Sequence, residues 1–184
     1  MTTGSLPDPL QYGSGLILDT FRGDARDLSP SDFEERHGAG FLLLTAAPSQ
    51  APPGPAMTEV RLDDDEPGSE CTADISLLAF PLVRNQRSAG HLITLGRTSN
   101  NDVVIPDLSV SRFHAFLKPG SNGGFLLQDA SSTNGTTVNS NSVPAQGQGA
   151  PIELKSGDSL RVGQVEFSFL SAPALQEFIR AHDD

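Results

Sequence analysis

The 184-residue chain has a single cysteine, Cys71, no tryptophan and one tyrosine. One thiol excludes an internal disulfide and any multi-cysteine metal site. Basic residues are also scarce, with 12 Lys and Arg against 23 Asp and Glu and a net charge of −11. A nucleic-acid partner, which requires a basic face, is therefore not expected. No apolar run approaches the length that crosses a bilayer, so no membrane partner is expected either. The N-terminus carries no basic residues and is interrupted by Gly, Pro and Asp, unlike a signal peptide. Together these absences predict a soluble, cytoplasmic protein with no cofactor, large enough to bury a core without staples.

The charge is unevenly placed. Residues 1–74 hold 4 Lys and Arg against 14 Asp and Glu, a net of −10, whereas residues 75–184 are nearly neutral. Residues 1–14 are polar and read as a mobile tail. Residues 15–45 read as a small strand–helix–strand extension. Gly15–Leu18 is a short apolar run, and Phe41–Thr45 reads as a buried strand. Between them, Ser29 can cap a helix that Pro30 opens, Asp32 supports and Gly38 ends. Residues 46–74 read as a proline-rich and acidic linker containing Asp63, Asp64, Asp65 and Glu66.

From Ile75 the pattern changes to short strands separated by close turns, as in a sandwich or barrel. Pro81 demotes the first of these to an edge or bulged strand. Further strands are expected at His91–Leu95, Val103–Ile105, Phe113–Lys118, Phe125–Gln128, Thr136–Val138, Ile152–Leu154, Ser159–Val162 and Val165–Leu170. Residues 171–184 should form a helix opened by Pro173, with Leu175, Phe178 and Ile179 on one face docked onto the sandwich.

Chemistry concentrates between Gly96 and Gly135. Gly96-Arg97, Ser111-Arg112-Phe113-His114 and Ser131-Ser132-Thr133-Asn134-Gly135-Thr136 each fall where a strand meets a loop. They supply guanidiniums, hydroxyls and an amide, the groups that bind anions. A hydrolytic reading of Ser111 and His114 is disfavoured, although a loop entering a strand does not strictly forbid it. A spacing of three along a strand sends side chains to opposite faces, no Gly-x-Ser-x-Gly elbow is present, and no third group orients the imidazole. His37, His91 and His182 lack zinc-ligand spacing, and Cys71 sits among acids that raise its pKa. No catalytic or metal-ligating residue is expected.

In order and spacing, these motifs resemble the forkhead-associated (FHA) domain over about residues 75–170. The late segment Lys155-Ser156-Gly157-Asp158-Ser159-Leu160-Arg161-Val162-Gly163 is similar as well. The resemblance implies an all-β protein, an antiparallel FHA-type sandwich of about eleven strands. It implies a non-catalytic module that binds a phosphothreonine-containing protein, with a Ser/Thr kinase as a further partner. By motif position, Arg97 and Ser111 would hold the phosphate, Thr133 would line the threonine subsite and Asn134 would bind the ligand main chain. Arg112 would add a phosphate or acidic-flank contact, and Gly96, His114 and Gly135 would be architectural. Two other expectations remain: that the acidic cluster lies near the phosphate loops, and the alternative of a phosphate-independent scaffold that works through its flank.

Overall fold

The computed structural model describes residues 14–46, 78–84, 91–120 and 124–182. The acidic cluster Asp63–Glu66, Cys71 and residues 85–90 lie outside the described residues. So does nearly all of the N-terminal tail.

Two sheets stack face to face. The larger contains β1 (Leu16–Ile17), β2 (Gly40–Ala46), β3 (Leu78–Pro81), β8 (Thr136–Val138), β9 (Asn141–Ser142), β11 (Ser159–Val162) and β12 (Val165–Ser171). Its strand order is β1-β3-β2-β12-β11-β8-β9. The smaller contains β4 (Ile93–Gly96), β5 (Val103–Val104), β6 (Ala115–Pro119), β7 (Phe125–Asp129) and β10 (Ile152–Leu154), in the order β10-β7-β6-β4-β5. All pairings are antiparallel except β4 with β5. Phe80, Leu95, Leu117, Leu127, Leu160 and Phe167 meet in the core between the sheets.

The run Phe41-Leu42-Leu43 is apolar at every position because β2 is buried on both faces. Leu42 faces the core between the sheets, whereas Phe41 and Leu43 face a second core on the outer side of the large sheet. Helices cover that outer core: α1 (Arg22–Asp27), α2 (Pro30–His37) and α3 (Ala172–Ala181). Ser29 caps α2 by accepting the Asp32 N–H, Pro30 opens it, and Gly38 ends it at φ 99°. In α3, Leu175 and Ile179 are fully or almost fully buried in the outer core, with Phe178 at its edge.

The segment 15–45 is therefore not merely apposed to the sandwich. Its strand β2 lies inside the large sheet, bonded to β12 on one side and β3 on the other. Gln176 and Arg180 of α3 donate to the carbonyls of Ala25 and Leu28, joining the two ends of the chain in one helical layer.

Three local expectations differ from the structure. β3 is an inner strand, and Pro81 is tolerated at its end. Leu82 N–H points to the Gly40 carbonyl in β2, so the nitrogen of Pro81 faces the other side, beyond the reach of β1. β6 begins at Ala115, because residues 111–114 form a turn. The exposed strand β9, Asn141–Ser142, carries no apolar signal and was not expected.

Candidate functional site

Four loops meet at one end of the sandwich. Arg97 N–H donates to Ser111 O, Ala130 N–H to His114 O, and Gly163 N–H to Gly135 O. Gln164 N–H donates to the Ser109 hydroxyl, and the Asn134 amide donates to Ser109 O at 2.7 Å. The turn after β11 thus braces the two loops that carry the motif residues.

An open groove of about 780 Å3 runs between these loops, and its lining includes Arg97, Ser111, Arg112, Thr133 and Asn134. Among the described residues, no carboxylate lines it. Among the described residues, neither Arg97 nor Arg112 is ion-paired. Arg97 is steered by its Nε, which donates to Val110 O at 3.2 Å, leaving its terminal amino groups directed elsewhere. The Ser111 hydroxyl accepts the Thr133 N–H at 3.1 Å and approaches the Thr133 hydroxyl at 3.4 Å. These two residues therefore sit side by side across the groove floor. Arg112 is exposed, and its carbonyl accepts from the Thr98 hydroxyl and the Asn101 amide.

Gly96 is required for close approach. A methyl group there would stand 2.3 Å from the Arg112 carbonyl oxygen and 2.7 Å from Asn101 Nδ2. The carbonyl belongs to the braced loop and cannot swing aside, so Gly96→Ala is expected to cost about 1–3 kcal/mol of stability. A denaturant midpoint matching that of the parent chain would show that the loop yields freely. Gly135 has a different reason to be glycine: open space surrounds its α-carbon, and its φ of +73° disfavours other residues.

His114 is fully buried. Its Nδ1 accepts the Ser111 N–H at 2.9 Å, and its Nε2 lies 3.1 Å from the Gly135 carbonyl. A neutral ring protonated on Nε2 satisfies both contacts. The turn at 111–114 brings Ser111 and His114 together, which a continuous strand would not have done. The contact is through the serine backbone, and the serine hydroxyl faces Thr133 instead. Burial lowers the pKa of His114 below its ordinary value of 6.5, with the Gly135 carbonyl and Asp129 pulling weakly the other way.

The stability consequence has a definite sign. Below pH 6.5 the unfolded imidazole takes up a proton that the folded one resists, so the unfolded state binds more protons. The stability due to neutral His114 is present in full above that pH. It is lost as pH falls from there through the lowered folded value. Ring 15N shifts should report the Nε2–H tautomer at pH 6.5 and below it until the lowered folded value is reached, and a ring already doubly protonated at pH 6.5 would contradict it.

The sequence reading missed Asp129. Its buried carboxylate accepts from the Ser132 N–H and from the hydroxyls of Ser132 and Thr136, at 2.7–2.8 Å. It also missed Asn101, which ties the loop after β4 to Arg112 O and Thr98 O. No cluster of three or more His, Cys, Asp or Glu able to hold a metal ion occurs among the described residues. Among those residues, no helix is long and apolar enough to cross a membrane.

A β-sandwich whose end loops bring two guanidiniums and several hydroxyls into one groove has the form of an anion-recognition module. Comparison with known proteins gives the family. The FHA domain profile matches residues 93–163. The glycogen accumulation regulator GarA of Mycobacterium tuberculosis is 30% identical over 142 residues, covering 73% of this chain and 76% of GarA. The oxoglutarate dehydrogenase inhibitor of Corynebacterium glutamicum is 35% identical over 81 residues, which is 44% of this chain and 52% of the inhibitor. The ABC transporter ATP-binding/permease protein Rv1747 of M. tuberculosis is 34% identical over 106 residues, 55% of this chain and 11% of the transporter. The chain thus spans about half the length of the inhibitor and a small part of the transporter. It belongs to the FHA domain family.

Proposed function

We propose that this chain is a non-catalytic adaptor that recognises phosphothreonine in a partner protein of Ser/Thr-kinase signalling. The observation that carries this reading is the convergence of Arg97, Ser111, Arg112, Thr133 and Asn134 on one groove that no carboxylate of the described residues lines. A phosphorylated threonine brings about −1.5 to −2 charges and three acceptor oxygens. A guanidinium meets these with paired, charge-assisted hydrogen bonds. In this assignment Arg97 and the Ser111 hydroxyl hold the phosphate, and Arg112 adds a second positive charge at the rim. Thr133, beside Ser111, borders the threonine side chain. One N–H of the Asn134 amide is held by Ser109 O, which orients the side chain, and its carbonyl oxygen can accept a ligand main-chain N–H.

The test is a titration with phosphothreonine peptides, their phosphoserine counterparts and unphosphorylated controls. Phosphate-dependent binding is expected, with phosphothreonine favoured over phosphoserine by the worth of one methyl group, about 1–3 kcal/mol. Peptide binding indifferent to phosphate would instead assign the work to the flank of the sandwich, with its helical layer.

A further inference from the structure

One part of the groove is not explained by phosphate recognition. Its lining includes two large apolar side chains, Leu108 and Phe113, which are 80% and 45% exposed. A lone exposed leucine would need no explanation. These two share one groove, whereas Leu16 and Val83, the other large apolar residues exposed among those described, lie outside it.

Both are also held in place. Leu108 sits on a turn in which Asp107 N–H donates to Ile105 O and Val110 N–H to Asp107 O. The Asp107 carboxylate accepts from both the backbone N–H and the hydroxyl of Ser109. Ile105 and Val110 anchor the two ends of this turn in the core. Leu108 is thus presented to solvent by a rigid support. Phe113 lies parallel to Phe116, with ring centroids 6.2 Å apart, and Phe116 is itself almost completely buried. The exposed ring therefore has a fixed backing. The open groove, at about 780 Å3, also extends well beyond the space one phosphorylated side chain fills.

We propose that Leu108 and Phe113 form an apolar wall that selects phosphothreonine peptides with a large aliphatic or aromatic side chain close to the phosphorylated residue. This inference rests on the phosphothreonine reading above. The wall supplies what the polar floor cannot, a surface from which an apolar side chain displaces water. Because the turn beneath Leu108 and the ring of Phe113 are already held in the free protein, little backbone ordering is needed when a ligand covers them.

An oriented library of phosphothreonine peptides, degenerate on both sides, should enrich Leu, Ile, Met or Phe at one position near the phosphothreonine. The peptide chosen should bind about tenfold more tightly than the same peptide with glycine at that position, the worth of burying one such side chain. That ratio should fall towards one in Leu108→Ser, whose exposed site makes misfolding an unlikely confound, and also in Phe113→Ser. In Leu108→Lys the enrichment should move to Asp and Glu. Phosphate-dependent binding with no preference at any flanking position would overturn the apolar wall and leave the phosphothreonine reading standing. So would an apolar preference that survives in both serine variants. Binding that ignores phosphate would overturn both.

Discussion

Replacing Arg97 with alanine is expected to weaken phosphothreonine-peptide binding by about 2–5 kcal/mol, roughly thirty-fold to several thousand-fold. The loss should be large because the side chain is already aimed before ligand arrives. Gly96 lets the strand end press against the Arg112 carbonyl, the Arg97 backbone is bonded to Ser111 O, and its Nε is bonded to Val110 O. Only the terminal amino groups remain for the anion. Lysine has the charge without the fork, and it lacks an Nε to hold against Val110 O. Arg97→Lys should therefore recover only part of the affinity. Calorimetric titration at fixed ionic strength measures both variants, since added salt weakens every contact of this kind. Affinity equal to that of the parent chain in Arg97→Ala would remove this residue from the phosphate contact.

The second large effect is expected at Asp129, which touches no ligand in this reading. Asp129→Ala would strip the Ser132 N–H and the hydroxyls of Ser132 and Thr136 of their common acceptor. These groups lie at the base of the loop that carries Thr133 and Asn134, where Ser131 is held at φ 62°. Losing a buried charged acceptor should cost about 3 kcal/mol of folding stability. Peptide affinity should fall as well, because the loop loses its support. Asp129→Asn, which retains one acceptor oxygen, should be intermediate. A chevron or equilibrium urea series measures the stability change. A parent-like midpoint for Asp129→Ala would show that the loop is held by other contacts.

Asp129 also shows where reading the sequence stops. The order of Gly96-Arg97, Ser111-Arg112 and Thr133-Asn134 was legible because the family motif is local and its residue types are chemically demanding. Helix α2 was legible because its cap, its opening proline and its closing glycine all act within ten residues of one another. An aspartate three residues before a serine is a known side-chain-to-backbone pattern, and Asp129 with Ser132 could have been noticed on that ground. Its third bond, to Thr136, depends on the path of the loop between them. The strand β9 was invisible because Asn141 and Ser142 bury nothing. The position of β2 was invisible for a different reason. Its composition announced burial on both faces but could not name its neighbours, since strand pairing is settled by distant residues.

That pairing has a consequence for how the protein comes into being. Phe41 lies opposite Leu170, and Leu42 opposite Phe169, so the middle of the large sheet joins two strands that are far apart in sequence. Contacts so distant in sequence incur a large loop-closure entropy and slow the search for the native state. During synthesis, the edge of β2 that bonds β12 stays open until β12 has left the ribosome. The capping of Ala25 and Leu28 by Gln176 and Arg180 can form only after that. Between the synthesis of β2 and that of β12 the nascent chain thus carries an open edge on its central strand, the stage at which exposed strand edges invite association with other chains.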